Sequence, residues 1–233
     1  MKAAVFDLDG TLADTSRDLI RAANSCLAGV SGKFGSGPLD PGQDAATAFA
    51  GGRAMIRLGL TRLGSAWSET EVDSLYLEFL AQYADAIDLE TVLYPGVAEA
   101  LGRLAERGYA RAVCTNKPEA LALELLGRLG ILDRFGAVLG ADSLPVRKPD
   151  PEHLFETIRR VGGSPRQSVL VGDTSNDRET ARRAGIPCIL VTFGPNGSGV
   201  QQLEPEGLLD SFEDLPRLVD SVIRADRNSG TGS

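Results

Sequence analysis

Short runs of apolar residues recur along the chain with the lengths of buried strands. Strands that are covered on both faces of a parallel sheet are expected to be continuously apolar rather than alternating. Five runs predict such strands, and they cover residues 3–6, 110–114, 137–139, 168–171 and 188–192. The segments between the later runs have the spacing of helices, so the pattern predicts strands and helices in alternation.

Prolines and glycines mark the ends of these predicted helices. Pro118 and Pro151 stand where helices are expected to begin, and Gly130 and Gly185 stand where helices are expected to end. Strand and helix in alternation predict an α/β fold with a doubly wound, Rossmann-like parallel sheet.

The segment between the first two predicted strands breaks this alternation. Two stripes of apolar residues follow helical spacing there: Leu19, Ala22, Ala23 and Cys26, and then Val72, Leu75, Phe79 and Tyr83. We therefore expect an all-helical cap subdomain at residues 15–92, inserted after the first strand. The catalytic core is then discontinuous, with residues 1–14 and 93–226, and residues 227–233 are expected to form a disordered tail.

Composition and charge exclude several classes of protein. The 233 residues include 24 Lys and Arg against 32 Asp and Glu, which gives a formal net charge of −8. A nucleic-acid partner is not expected, because binding to the phosphate backbone needs a basic face. A membrane partner is not expected either, since no apolar run approaches the ~20 residues of a spanning helix.

The cysteine and histidine contents narrow the chemistry further. The three cysteines, Cys26, Cys114 and Cys188, are far apart and odd in number, so a disulfide framework is not expected. We therefore expect a cytoplasmic location. The single histidine, His153, excludes a three-histidine zinc site. Carboxylates, hydroxyls and lysine are then the groups expected to carry any catalysis.

Two pairs of carboxylates follow predicted strands. Asp7 and Asp9 come directly after the first strand, and Asp173 and Asp177 come after the fourth. The carboxyl ends of parallel strands share one crevice, so these side chains are expected to meet. Two carboxylates ~4 Å apart repel by about 4 kcal/mol at an effective dielectric constant of ~20, so a cation or a shared proton is expected between them. Oxygen ligands without histidine or cysteine favour Mg²⁺.

Three more polar residues are candidates for the same crevice. Thr115 and Asn116 follow the second strand, where a hydroxyl and a backbone N–H can bind an oxyanion, although a helix cap is the simpler interpretation. Lys148 precedes Pro149 and a predicted helix, and alone it would be a solvated surface residue. A carboxylate nucleophile, a second carboxylate, a hydroxyl and an ammonium together suit phosphoryl transfer through an aspartyl phosphate.

Four motifs, in this order, resemble those of the haloacid dehalogenase superfamily of phosphatases. They are DLDGTL at residues 7–12, Thr115, Lys148 with the string KPDP, and GDTSND at residues 172–177. The resemblance spans nearly the whole chain, and the insert at residues 15–92 resembles the mobile cap of that superfamily.

The resemblance implies a role for each core residue. Asp7 would be the nucleophile, and Asp9 would protonate the leaving alcohol and then activate water. Asp7, the Asp9 carbonyl and Asp173 would bind Mg²⁺ with support from Asp177. Thr115 and the Asn116 N–H would hold phosphate oxygens. Lys148 would orient Asp7.

The resemblance also implies that residues of the cap select the substrate. Arg53 could bind a substrate carboxylate through two hydrogen bonds, although a surface arginine at the start of a helix is an equally good interpretation. Thr15, at the hinge into the cap, could also face the substrate. Either role would make a small phosphorylated metabolite the partner of the protein.

Three strings are similar to those of the phosphoglycolate phosphatases in this superfamily: TNKP at residues 115–118, YPGV at 94–97 and RKPDP at 147–151. Hydrolysis of 2-phosphoglycolate to glycolate and phosphate is therefore expected. Phosphatases of amino-sugar phosphates or pyrophosphate, and sugar-phosphate mutases, remain alternatives. A receiver-like phosphoacceptor and a non-catalytic binding protein are alternatives from other classes, and the oligomeric state, monomer or homodimer, stays open.

Overall fold

The apolar runs form strands, most of which pair in a single sheet. The computed structural model describes residues 1–31 and 37–229. Its strands are β1 (Lys2–Phe6), β2 (Ala13–Asp14), β3 (Val92–Leu93), β4 (Tyr109–Cys114), β5 (Ala137–Leu139), β6 (Ser168–Gly172), β7 (Cys188–Val191) and β8 (Gly207–Leu209). Six of them form a parallel sheet in the order β5-β4-β1-β6-β7-β8, and β2 pairs with β3 in a second sheet.

Nine α-helices of the described residues accompany these strands. They are α1 (Ser16–Ser31), α2 (Ala45–Phe49), α3 (Gly52–Arg62), α4 (Glu69–Ala84), α5 (Val97–Glu106), α6 (Glu119–Arg128), α7 (Pro151–Arg160), α8 (Ser175–Ala184) and α9 (Leu215–Ser229). Helices α5 to α8 alternate with the strands of the large sheet, so the predicted doubly wound α/β class is confirmed. None of the helices described is long and apolar enough to cross a membrane.

Two details of the sheet and of the carboxyl terminus differ from the sequence prediction. Strand β8 was not predicted, because it has three residues and begins with Gly207, which gives no apolar run to recognise. Helix α9 continues to Ser229, so residues 227–229 are helical where a disordered tail was expected. Residues 230–233 lie outside the described residues.

The chain forms two compact units. One consists of Met1–Ala13 and Leu93–Ser233 and contains the large sheet, and the other is Asp14–Val92 and contains α1 to α4. In the first unit β1 lies between β4 and β6, and Ala3 to Phe6 are fully buried. Burial on both faces accounts for the unbroken apolar sequence of this strand.

Helix ends in the first unit follow the proline and glycine signals. Asp150 caps α7 by accepting a hydrogen bond from the N–H of Glu152, and Pro151 occupies the first turn. Helix α8 ends at Gly185, which adopts the left-handed conformation with a φ of 63°. These two helices pack over β1 and β6 and bury Leu154 and Ile158 in the same apolar cluster as Leu170. Local signals thus set where each chain segment leaves the sheet.

In the second unit, a buried carboxylate holds the segment that follows α4. Asp18 is fully buried in the first turn of α1. Its Oδ2 accepts hydrogen bonds from the N–H of Glu90, the N–H of Thr91 and the hydroxyl of Thr91, at 2.8 to 2.9 Å. Three donors on one oxygen satisfy backbone groups that would otherwise be buried without partners.

Replacement of Asp18 with alanine is therefore expected to destabilise the protein. Asp18→Ala leaves buried donors of Glu90 and Thr91 unpaired, which costs about 2 to 3 kcal/mol of unfolding free energy. Urea unfolding followed by circular dichroism measures this loss. Asp85→Ala, an exposed position after α4, is the control and should cost less than about 0.5 kcal/mol. Equal stabilities of the two variants would contradict the role of Asp18.

Candidate active site

Three neighbouring strands of the large sheet deliver the first residues of the site. Asp7 follows β1, Thr115 follows β4 and Asp173 follows β6. The ladder continues through two of these residues, because the Asp7 N–H donates to the Val171 carbonyl at 2.9 Å and the Thr115 N–H donates to the Leu139 carbonyl at 3.0 Å. The side chains meet because parallel neighbours end at the same edge of the sheet.

A tight turn after β1 brings a hydroxyl back into the site. Gly10 has a φ of 80°, a conformation that favours glycine. The N–H groups of Thr11 and Leu12 both donate to the Leu8 carbonyl, which closes the turn. The buried Thr11 hydroxyl then donates to Asp173 Oδ1 at 2.9 Å, so the motif after β1 orients a carboxylate that follows β6.

Three carboxylates lie together at this edge. Asp7, Asp173 and Asp177 each place a carboxylate oxygen within 4.8 Å of the others, and all three residues are buried. Asp177 sits close because Gly172 has no side chain: a Cβ there would be 2.3 Å from the Asp177 Cγ. The glycine of this motif therefore has a packing role.

The ammonium of Lys148 lies between two of these carboxylates. Its Nζ is 2.8 Å from Asp7 Oδ2 and 2.6 Å from Asp177 Oδ1, and the lysine is 2% exposed. Burial by itself lowers the pKa of Lys148, but Asp177 and Asp7 together raise that pKa above its ordinary value. Lys148 therefore stays charged and offsets part of the repulsion among the carboxylates.

The pKa values of two carboxyl groups show that Lys148 balances the negative charges of the site only in part. Burial raises the pKa of Asp7 to about 6, against the opposing effect of Lys148, and the charge of Asp177 adds to the increase. Burial, followed by the charges of Asp177 and Asp7, raises the pKa of Asp173 well above its usual range. A single ammonium does not neutralise this cluster, so a further cation would be favourable there.

The hydrogen bonds indicate which carboxylate oxygens could bind a metal ion. Both oxygens of Asp177 are engaged, Oδ1 by Lys148 and Oδ2 by the N–H and hydroxyl of Thr174 in the cap of α8. Asp173 Oδ2 is buried and has no hydrogen-bond partner among the described residues. An orphaned buried carboxylate oxygen beside Asp7 fits a metal ion, and an all-oxygen donor set suits a hard divalent cation.

A second buried lysine, not singled out from the sequence, holds Asp9. The Nζ of Lys117 is 2.8 Å from Asp9 Oδ1 and 3.1 Å from Asp9 Oδ2. The carboxylate of Asp9 thus faces Lys117. The sequence contained Lys117 within TNKP, but a lysine near a proline gives no signal of which carboxylate it meets.

Thr115 and Asn116 connect the site to the loop that carries Lys148. The Thr115 side chain hydrogen-bonds to Asp7, which opposes the rise in the pKa of Asp7. The Asn116 side-chain amide donates to the Lys148 carbonyl at 3.0 Å, while its buried Oδ1 has no hydrogen-bond partner among the described residues. Asn116 was predicted for its backbone N–H, and its side chain adds a contact that positions the Lys148 loop.

The two remaining predicted site residues belong to the second unit. Thr15 is buried directly before α1. Arg53, near the start of α3, stacks on the Tyr76 ring with its Cζ 3.8 Å from the ring centroid, and its Nε donates to Asp73 Oδ1 at 2.7 Å. These contacts hold the guanidinium in one orientation within its unit.

The carboxyl edge of a doubly wound parallel sheet thus gathers three buried carboxylates and a lysine. The chain belongs to the haloacid dehalogenase-like hydrolases, because the model of that family matches residues 1–185. This match confirms the resemblance that the four motifs suggested.

Similar proteins of known name cover almost the whole chain. The chain is 40% identical over 222 residues to a phosphoglycolate phosphatase of Mesorhizobium japonicum, spanning 95% of this chain and 96% of that protein. It is 37% identical over 221 residues to a phosphoglycolate phosphatase of Agrobacterium fabrum, spanning 94% and 93%.

Solved structures share the fold. A predicted phosphoglycolate phosphatase from Haemophilus somnus has a TM-score of 0.76 and 28% sequence identity, covering 94% of this chain and 97% of that one. CbbY from Rhodobacter sphaeroides, in complex with phosphate, has a TM-score of 0.75 and 24% identity over 94% of this chain and 99% of that one. At that identity the second likeness concerns the fold alone.

Removal of the Lys148 charge is expected to destabilise the protein in a pH-dependent way. In Lys148→Met the pKa values of Asp7 and Asp173 rise further above the unfolded value of 3.8. A carboxyl group with a raised folded-state pKa supports stability below the unfolded pKa, and this support is lost as the pH rises through the folded pKa. The variant should lose about 3 kcal/mol or more at pH 8 and less at pH 5.

Urea unfolding at the two pH values, without divalent ions, measures this difference. Lys2→Met removes the same charge from a lysine whose side chain is 40% exposed at the opposite end of β1, and it is the control. A loss in Lys148→Met that does not depend on pH would contradict the charge-balance argument.

Proposed function

We propose that this hydrolase cleaves the phosphate ester of 2-phosphoglycolate to glycolate and phosphate, through an aspartyl phosphate on Asp7 and with Mg²⁺ as cofactor. The observation that carries the proposal is the buried Asp7 carboxylate beside the Lys148 ammonium, at 2.8 Å. The likeness to phosphoglycolate phosphatases over at least 93% of each protein supports the choice of substrate.

Asp7 is the nucleophile in this proposal. Attack of a carboxylate on a phosphate dianion is opposed by charge, and Lys148 reduces that opposition because it touches the attacking group. Thr115 hydrogen-bonds to the same carboxylate. An Oδ atom of Asp7 forms the bond to phosphorus as the bond from phosphorus to the ester oxygen breaks.

Asp9 moves the protons. Its carboxyl group gives a proton to the departing glycolate oxygen, and the resulting carboxylate then takes a proton from the water that attacks the aspartyl phosphate. Hydrolysis returns Asp7 as a carboxylate and releases phosphate. The side chain of Asp9 is 18% exposed, which supports contact with both an ester and a water molecule.

Asp7, Asp173 and the Asp9 carbonyl would hold Mg²⁺, with Asp177 fixing the position of Lys148. The bound ion would supply positive charge to the phosphate oxygens and to the nucleophile. The unpaired Asp173 Oδ2 and the all-oxygen donor set support a hard divalent cation in this position.

The remaining predictions concern the substrate and the cell. Asn116, Thr15 and Arg53 stay candidates for substrate contact, and the guanidinium of Arg53 contacts Tyr76 and Asp73. A small phosphorylated metabolite is the expected partner. The cysteines are free thiols, which supports the predicted cytoplasmic location.

Two isosteric variants separate the proposed roles of the first motif. Asp7→Asn removes the nucleophile, so turnover should fall by about 10³-fold or more and no covalent phosphate should form. Asp9→Asn keeps the nucleophile and removes the base, so a phosphorylated protein should accumulate. Intact-protein mass spectrometry after mixing with substrate and Mg²⁺ measures this species. A phosphorylated Asp7→Asn protein would overturn the assignment of the nucleophile.

A panel of phosphate compounds tests the substrate. Phosphate release is measured with 2-phosphoglycolate, glucose 1-phosphate, an amino-sugar 6-phosphate, pyrophosphate and AMP, with Mg²⁺ and with EDTA. We expect kcat/KM for 2-phosphoglycolate to exceed the next value by about tenfold or more, equal to about 1.4 kcal/mol of transition-state preference. EDTA should abolish release. Preference for another compound would overturn the substrate and leave the nucleophile assignment intact.

A further inference from the structure

The second buried lysine of the site has no role in the steps described above. Of the lysines that the structure describes, Lys117 and Lys148 are buried, with exposures of 6% and 2%. Lys148 balances the carboxylate cluster. The ammonium of Lys117 instead contacts the carboxylate of Asp9.

We propose that Lys117 is a specificity-determining residue: its ammonium binds an anionic group of the substrate that lies one carbon from the ester oxygen, such as the carboxylate of 2-phosphoglycolate. This inference rests on the proposed function, because it takes Asp9 to be the group that contacts the ester oxygen.

Stability alone is a poor explanation for the pair formed by Lys117 and Asp9. Desolvation of two charges cancels much of their attraction, so a buried ion pair is often no more stable than apolar residues of similar size. The cost is highest for Lys117, whose side chain is 3% exposed, against 18% for Asp9. A buried ammonium that faces a partly exposed carboxylate is better explained by a ligand that arrives from the side of Asp9.

The distances suit a substrate with this arrangement of groups. The Nζ of Lys117 is 2.8 Å from Asp9 Oδ1. A hydrogen bond of about 2.7 Å from Asp9 to the ester oxygen would bring that oxygen within about 5.5 Å of Nζ. In 2-phosphoglycolate one methylene joins the ester oxygen to the carboxylate, so the carboxylate can fill this space and pair with the ammonium while Asp9 keeps the ester oxygen.

The loop that holds Lys117 supports a fixed position for its ammonium. The Lys117 N–H donates to the Thr115 side chain at 3.3 Å, and the Lys117 carbonyl accepts from the Ala141 N–H at 2.9 Å. Both backbone groups are thus tied to segments that follow strands of the large sheet. A preorganised ammonium loses little freedom when an anion binds, which favours selective recognition.

The test compares two substrates that differ at one group. In 2-hydroxyethyl phosphate a hydroxymethyl group replaces the carboxylate of 2-phosphoglycolate, while the phosphate ester is retained. Lys117→Met should lower kcat/KM for 2-phosphoglycolate by about 10- to 100-fold, the range for a hydrogen bond between charged groups. The value for 2-hydroxyethyl phosphate should fall less, so that the ratio of the two kcat/KM values falls by about tenfold or more. Lys117→Arg should recover part of the loss, because it restores the positive charge.

Controls separate recognition from damage to the fold. Lys2→Met removes the same charge at a position about five residues before Asp7, or roughly 16 Å along β1. This variant should leave kcat/KM unchanged for both substrates. Thermal unfolding of each variant confirms that it is folded, and Lys117→Gln is the second neutral variant if the apolar side chain prevents folding.

Two results would overturn the proposal. An equal fall of kcat/KM for both substrates would make Lys117 a positioning residue for Asp9, and unchanged values for both substrates would remove it from the reaction altogether. Either result leaves the proposed function standing if the wild-type protein prefers 2-phosphoglycolate. A wild-type protein without that preference would overturn the proposed substrate together with the role of Lys117.

Discussion

Mutual repulsion among buried carboxylates is the constraint on which the site depends. The ammonium of Lys148 contacts Asp7 and Asp177 and so offsets part of the repulsion within the cluster that these two residues form with Asp173. Much of the surrounding structure fixes this arrangement: the cap of α8 fixes Asp177, the turn at Gly10 brings the Thr11 hydroxyl to Asp173, and Asn116 binds the loop of Lys148. The sheet order then places these segments side by side, since Asp7 and Asp173 follow adjacent strands.

The two carboxylates of the first motif have separate charge environments. Asp7 shares Lys148 with Asp177 inside the cluster, whereas Asp9 faces Lys117 and is more exposed. Alternation along an extended chain explains how residues two apart reach the same edge, but different partners make their chemistry different. The deficit of positive charge around Asp7 favours a bound cation, and Asp9 is accessible to water.

Two side chains of the second unit have defined partners within that unit. Arg53 is stacked on Tyr76 and hydrogen-bonded to Asp73, two contacts that orient its guanidinium. Asp18 performs a structural task in the same unit, because one of its oxygens satisfies three donors of the returning segment. Backbone hydrogen bonding therefore explains one acidic residue of this unit, and an aromatic ring and a carboxylate orient one arginine.

The sequence by itself determined five strands of the large sheet, several helix ends and the residues that follow them, because burial on both faces requires apolar runs and because proline and glycine act locally. It did not reveal β8, whose three residues form no recognisable run, nor the extension of α9 to Ser229. Only the tertiary structure decided which charges pair. Lys148 with Asp177 and Lys117 with Asp9 join residues 29 and 108 positions apart, and such contacts depend on strand order and loop direction, which no local pattern encodes.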